Sequence, residues 1–126
     1  MKNNIKTTLA LILFSNCGLA EVHADASQDA FYLQMRNQLG IIEYCIEKGF
    51  PSQWAAKQYE QFLATMTEPG DRTLVSIVES KGRQGIYYYL DSASEMSVEQ
   101  LADGMNQTLE EHCKSFDENA KSFSAN

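Results

Sequence analysis

The sequence predicts an all-α fold, a small bundle of four to five helices closed by one disulfide. Apolar residues recur three or four positions apart over several long segments, the spacing of one helix face. Two of the three cysteines, Cys45 and Cys113, fall on such faces. A middle segment, 73–90, also suits strands, so the alternative is an α+β fold with a short hairpin there.

Residues 1–24 have the pattern of a secretory signal peptide. Two lysines precede a short apolar run at 9–14, and small residues follow. The run is shorter than the roughly 20 apolar residues that span a bilayer. We expect cleavage after Ala24, with Ala20 as the alternative site, and no integral membrane segment in the chain that remains.

The chain after the signal is expected to form a single helical domain, 25–116, with a polar C-terminal tail at 117–126. Removing two lysines and one glutamate with the signal changes the net charge from −7 to −8. Nucleic acids and anionic membranes both require a basic surface, so neither is an expected partner. The composition predicts a periplasmic or secreted protein.

The first two helices are predicted at 28–48 and 52–66. Gly49 suits the end of the first helix, and a Phe50-Pro51 break separates the two. The apolar spacing predicts that the following side chains point inward: Phe31, Met35, Leu39, Ile42, Cys45 and Ile46 in the first helix, and Trp54, Ala55, Phe62 and Met66 in the second.

The final helix is predicted to begin at a capping box, in which Ser97 and Gln100 bond each other's backbone N–H groups. Met96 and Leu101 fit the hydrophobic staple that flanks such a box. The predicted apolar stripe then runs to residue 116, before a tail that is expected to fray, and consists of Val98, Leu101, Met105, Leu109, Cys113 and Phe116.

Between these helices, 73–78 and 86–90 are both strand-prone runs, although the first also has helical spacing. Gly82 and Gly85 lie between them, and each costs about 1 kcal/mol in a helix interior. One unbroken helix is therefore the least favoured arrangement. Two short helices or a β-hairpin remain, and the helical surroundings favour the helices.

Cys45 and Cys113 are predicted to form a structural disulfide, since they are an even pair without Cys-x-x-Cys spacing in an exported chain. Each is placed near the C-terminal end of its predicted helix, so two C-terminal ends are expected to meet. The helix dipole there disfavours a thiolate, which argues against a redox role.

Catalytic groups are few, and we predict that the protein is not an enzyme and has no cofactor or metal. After cleavage at Ala24, His112 is the one histidine left, and it is expected to flank the apolar stripe, exposed or hydrogen-bonded. Two other functions remain open. A carboxylate-based hydrolase needs two close carboxylates in a deep pocket, and a carrier of apolar ligands needs a dry cavity among Phe31, Trp54, Phe62 and Leu109.

Tyr87, Tyr88 and Tyr89 are consecutive, and neither a helix nor a strand can turn all three inward. Exposed tyrosine is common at protein interfaces. With Lys81 and Arg83 they are predicted to form a partner-binding patch. The sequence therefore predicts a protein-binding module of the periplasm or the medium, with a secreted virulence-associated factor as the nearest alternative; it leaves the oligomeric state open.

Overall fold

The computed structural model describes residues 27–50 and 53–124, and the predicted signal segment with its cleavage sites lies outside them. Five helices and one antiparallel hairpin are present in these residues, which confirms the helical bundle with one disulfide. Helix α1 covers 27–47, and its exposed residues 27–30 belong to a first unit, Met1–Ala30. The remaining elements, within the unit Phe31–Asn126, are α2 (Gln53–Ala64), α3 (Arg72–Arg83), β1 (Ile86–Tyr89), β2 (Ser94–Ser97), α4 (Val98–Gly104) and α5 (Leu109–Ser124).

Helices α1 and α2 form where the sequence predicts them. Gly49 adopts a φ of +91°, and the Phe50 N–H donates to the Cys45 carbonyl at 3.0 Å, which ends α1 at a glycine. The buried residues of α2 are four apart, at Ala55, Tyr59 and Leu63. Trp54 is 45% exposed, because it is rotated about 100° from that face, so its predicted inward position is wrong.

Phe31 is also exposed where an inward position was predicted. Its ring meets Phe62 edge-on, with the centroids 6.3 Å apart. It lies one position before the buried pair Tyr32 and Leu33, and therefore at the rim of the core.

Helices α1 and α3 cross at two glycines. A Cβ on Gly40 would lie 2.9 Å from the Gly82 Cα, and a Cβ on Gly82 would lie 2.2 Å from the Asn37 carbonyl oxygen. The two backbones touch here because neither glycine carries a side chain. This contact is the structural reason for Gly82, which sequence analysis had treated as a helix breaker.

The middle segment is divided between the two structures considered for it. Its first run is in α3, where the Asp71 side chain accepts a hydrogen bond from the Leu74 N–H at 3.0 Å. Gly85, with a φ of +77°, separates α3 from the second run, which forms strand β1. The favoured pair of helices is therefore wrong for this second run. Strand β1 pairs with Ser94–Ser97 instead of with the first run.

The predicted final helix is broken into α4 and α5. The Ser97 and Gln100 capping box is present at the start of α4, as predicted. Asn106 adopts a φ of +56° just beyond α4, and the Thr108 hydroxyl accepts from the Glu111 N–H at 3.1 Å to start α5. Met105, predicted to point inward, falls in this break and is 54% exposed.

The predicted tail, 117–126, is helical as far as Ser124. Ala120 is buried and Phe123 packs on the core, with its ring 5.0 Å from that of Tyr59 and 4.6 Å from that of Phe62. The apolar face of the helix therefore continues between the polar residues of this segment, and its packing on the core keeps the segment within α5.

The disulfide Cys45–Cys113 is fully buried, with its Cα atoms 5.8 Å apart. Because α5 begins at Leu109, Cys113 lies in its second turn, and the C-terminal end of α1 meets the N-terminal part of α5. The expected meeting of two C-terminal ends is thus wrong. The bridge closes a sequence separation of 68 residues, which stabilises the fold by about 4 kcal/mol on the chain-entropy argument.

Candidate functional site

The hairpin turns its three tyrosines to two faces. The strand register pairs Tyr87 with Met96 and Tyr88 with Glu95. Because side chains alternate along a strand, Tyr87 and Tyr89 share one face with Met96, and Tyr88 lies on the other. Tyr89 is 40% exposed, whereas Tyr87 and Tyr88 are partly buried. Tyr89 is therefore the most exposed of the three tyrosines.

Tyr87 is bound to the interior through His112. Its hydroxyl oxygen lies 2.8 Å from Nε2 of the buried His112, and Nδ1 of that ring lies 3.2 Å from Gln107 Oε1. With Gln107 as acceptor, Nδ1 carries the proton and Nε2 accepts from Tyr87. Burial lowers the pKa of His112 and so favours the neutral imidazole. Tyr87 and His112 are thus packing and hydrogen-bonding groups.

Lys81 and Arg83 lie next to acidic side chains. Lys81 forms a salt bridge with Glu95 on strand β2. Arg83 is paired with Glu43 on α1 and with Glu79 one turn earlier on α3, where Nη2 lies 2.9 Å from Oε1. The hydrogen bond that Arg83 donates to Glu43 is the main cause of the raised pKa of Arg83. The surface around the tyrosines therefore carries both positive and negative side chains and is not basic.

Asn37 anchors the hairpin to α1, a role that sequence analysis did not predict. Its side-chain nitrogen donates to the carbonyl oxygens of Val78 and Ile86, both at 2.9 Å, and its oxygen accepts from the Tyr88 N–H at 3.2 Å. In the antiparallel ladder, the free backbone groups of Ile86 and Tyr88 face away from β2. The Asn37 amide therefore bonds the outer edge of β1 as a third strand would.

Tyr89 and Met96, which we call the hairpin patch, are diagonal neighbours on one face of the sheet. They are 40% and 37% exposed, at the lower end of the exposed large apolar side chains of the described residues, which range from 37% to 54%. Aromatic residues and methionine are enriched at protein interfaces. Tyr87 lies beside Met96 on the same face and is bonded to His112, and Asn37 bonds the outer edge of β1, so the hairpin patch is held in place by both.

A second surface feature is a depression of about 540 Å³ at the C-terminal end of α1. We call it the Trp54 cleft; its lining residues are Ile46, Gly49, Phe50, Gln53, Trp54 and Asp117. Asp117 comes from α5 and is partly buried. Burial raises the pKa of this carboxyl group, and attraction to Lys121 offsets part of the effect. The cleft was not predicted from the sequence, because the apolar spacing placed Trp54 in the core and the polar composition placed Asp117 in a tail.

The residues proposed to surround a ligand cavity lie in different places. Phe31 lines a groove of about 360 Å³ with Tyr59 and Phe123, whereas Trp54 lines the cleft above. Asp117 is the one carboxylate among the described residues that line the Trp54 cleft, while the hydrolase alternative requires two close carboxylates.

Within residues 27–50 and 53–124, no three His, Cys, Asp or Glu side chains come together as metal ligands. None of the helices that the structure describes has the length and apolarity needed to cross a bilayer. Comparison of the whole chain with known protein families, curated proteins and solved structures gives no match.

Proposed function

We propose that this chain is a small exported protein that binds another protein through the hairpin patch, in the periplasm or outside the cell. The observation that carries the proposal is the exposure of Tyr89 and Met96 on one face of a hairpin that Asn37 anchors. A surface fixed before binding loses less entropy when a partner docks. Tyrosine adds a large contact area with few rotatable bonds.

The charge of the molecule favours a protein partner over a nucleic acid. The whole chain carries a net charge of −7, and its two candidate basic residues, Lys81 and Arg83, are paired with glutamates. Phosphate backbones need unpaired basic side chains to replace their counterions. A mixed, partly apolar face is instead the usual composition of a protein interface.

Export is supported by the signal-like pattern at 1–24 and by the buried Cys45–Cys113 bridge, because disulfides persist in oxidising compartments. Cell fractionation, with mass spectrometry of the mature N-terminus, tests this part of the proposal. We expect a chain that begins after Ala24 in the periplasm or the medium. A full-length chain in the cytoplasm would contradict export.

Site-directed photocrosslinking in the native cells tests the binding surface. A photoreactive phenylalanine analogue replaces Tyr89, and a matched control carries the same analogue at Ile77, an exposed apolar position on α3. We expect one specific adduct from position 89 and none from position 77. Tyr87 is left unchanged, because its contact with His112 belongs to the core.

A double variant, Tyr89→Ala with Met96→Ala, then measures the contribution of the hairpin patch to binding of the captured partner. We expect at least a tenfold loss of affinity, because truncating two central interface anchors commonly costs more than 1 kcal/mol each. Equal binding by this variant, or equal crosslinking from both positions, would refute the hairpin patch. A partner found only outside the cell would favour the secreted virulence-associated alternative.

A further inference from the structure

Among the residues that the structure describes, the Trp54 cleft is lined by two aromatic residues, Phe50 and Trp54, which we call the aromatic wall, and by one carboxylate, Asp117. Phe50 lies just beyond the end of α1, Trp54 is at the start of α2, and Asp117 comes from α5. A volume of about 540 Å³ lies within the usual range of ligand sites, about 300–1,000 Å³. The cleft shares no residue with the hairpin patch.

In the described ranges Asp117 accepts no side-chain hydrogen bond and forms no salt bridge; Lys121, one turn later on α5, attracts it but donates a hydrogen bond to Glu118 at 2.8 Å. Lys114, one turn earlier on α5, is paired with Glu110 at 3.1 Å, and Lys48 lies over the ring of Tyr44. A partly buried carboxylate loses hydration, which is why the pKa of Asp117 is raised. A cation that enters the cleft would restore the favourable interaction that burial removes.

Among biological cations, a guanidinium group fits this combination best. It is planar, stacks on aromatic rings, and binds a carboxylate through two parallel N–H groups. A lysine ammonium is more strongly hydrated and cannot make the same flat contact. The cleft is broad and open to solvent, which suits a side chain presented by a polypeptide that crosses it. The net negative charge of the protein also attracts basic segments.

We propose that the Trp54 cleft holds an arginine side chain of a partner protein, with the guanidinium paired to Asp117 against the aromatic wall. This site is independent of the hairpin patch, so either can fail without the other. The α2 N-terminus at Gln53 favours an anion in principle. Asp117 already places a negative charge there, which leaves the cleft selective for cations.

The chain has one tryptophan, Trp54, and six tyrosines, so tryptophan emission, excited where tyrosine does not absorb, reports on the cleft. The oxidised, signal-free chain is titrated with acetyl-Gly-Arg-Gly-amide, and in parallel with the same peptide containing citrulline, which has the shape of arginine without its charge. We expect a saturable change with the arginine peptide, and affinity at least tenfold weaker for the citrulline peptide. Free L-arginine should bind more weakly than the arginine peptide.

Two variants assign the effect. Asp117→Asn should weaken binding of the arginine peptide at least tenfold, whereas Glu110→Gln, the same charge change at an exposed position of α5, should leave it unchanged. Equal responses to arginine and citrulline, or tighter binding of free arginine than of the peptide, would overturn the proposal. Saturable binding of sulfate without a response to arginine would overturn it as well. The comparison of peptides uses the native sequence and so does not depend on folding of a variant.

Discussion

Asn37→Leu should remove the anchor of the hairpin while leaving the shape of the side chain nearly unchanged. Three backbone groups lose their partner amide, those of Val78, Ile86 and Tyr88. The Val78 carbonyl lies inside α3 and keeps its helical donor. The other two groups face away from β2 and have no second partner in the sheet.

The expected cost follows from these two groups. An unsatisfied buried donor or acceptor costs about 1–3 kcal/mol, so the pair should lower the free energy of unfolding by about 2–6 kcal/mol. That is a large part of the total of about 5–15 kcal/mol for a small domain. Leucine is the better helix former, so propensity acts against the effect and cannot produce it.

Urea denaturation of the oxidised protein measures the change, and amide hydrogen exchange locates it. The Tyr88 amide should exchange faster in Asn37→Leu, because its acceptor is gone. Gln34→Leu, an exposed position one turn earlier on α1, is the control and should stay within about 0.5 kcal/mol of the native protein. Native stability and an unchanged Tyr88 exchange rate in Asn37→Leu would refute the anchoring role.

Three further outcomes are expected. Gly82→Ala should lower the free energy of unfolding in urea by about 1–3 kcal/mol, because its Cβ would lie 2.2 Å from a backbone oxygen of α1. The control Gly104→Ala has open space around the new Cβ and should be neutral or stabilising. Equal effects of the two variants would contradict the close crossing of α1 and α3. Burial lowers the pKa of His112 below 6.5, so on acidification the unfolded chain takes up its proton first and stability falls. His112→Gln should lose less stability than the native chain between about pH 7.5 and about pH 5.5, and identical losses would exclude this cause. Replacing both bridge cysteines by alanine should cost about 4 kcal/mol in urea, and a loss below about 1 kcal/mol would contradict the loop-closure argument.

The features that sequence analysis predicted depend on local patterns. The capping box at Ser97 and the glycine end at Gly49 are each encoded within a few residues. Counting the cysteines was enough to predict the disulfide, since Cys45 and Cys113 are the two that lie beyond the signal-like segment. The break before α5 also had a local signal, because Thr108 and Glu111 have the spacing of a capping box.

The rest depends on contacts between distant residues. Asn37 bonds backbone groups 41 to 51 positions away, and no pattern around it indicates that role. Strand β1 forms in a run that also suits a helix, because Gly85 ends α3 and Ser94–Ser97 supplies a partner. The Trp54 cleft was hidden because its residues come from α1, α2 and α5, and their meeting is set by the bundle.

Helix α1 connects the two candidate binding surfaces. Near its middle, Asn37 fixes the outer edge of β1, and near its end Cys45 is joined to Cys113, four residues before Asp117 on α5. The first link holds the strand that carries Tyr89, and the second holds two walls of the Trp54 cleft together. A chain of this size has little stability to spare for ordering a surface at the moment of binding. Fixing both surfaces to one helix by a buried amide and a buried disulfide reduces that ordering cost before a partner arrives.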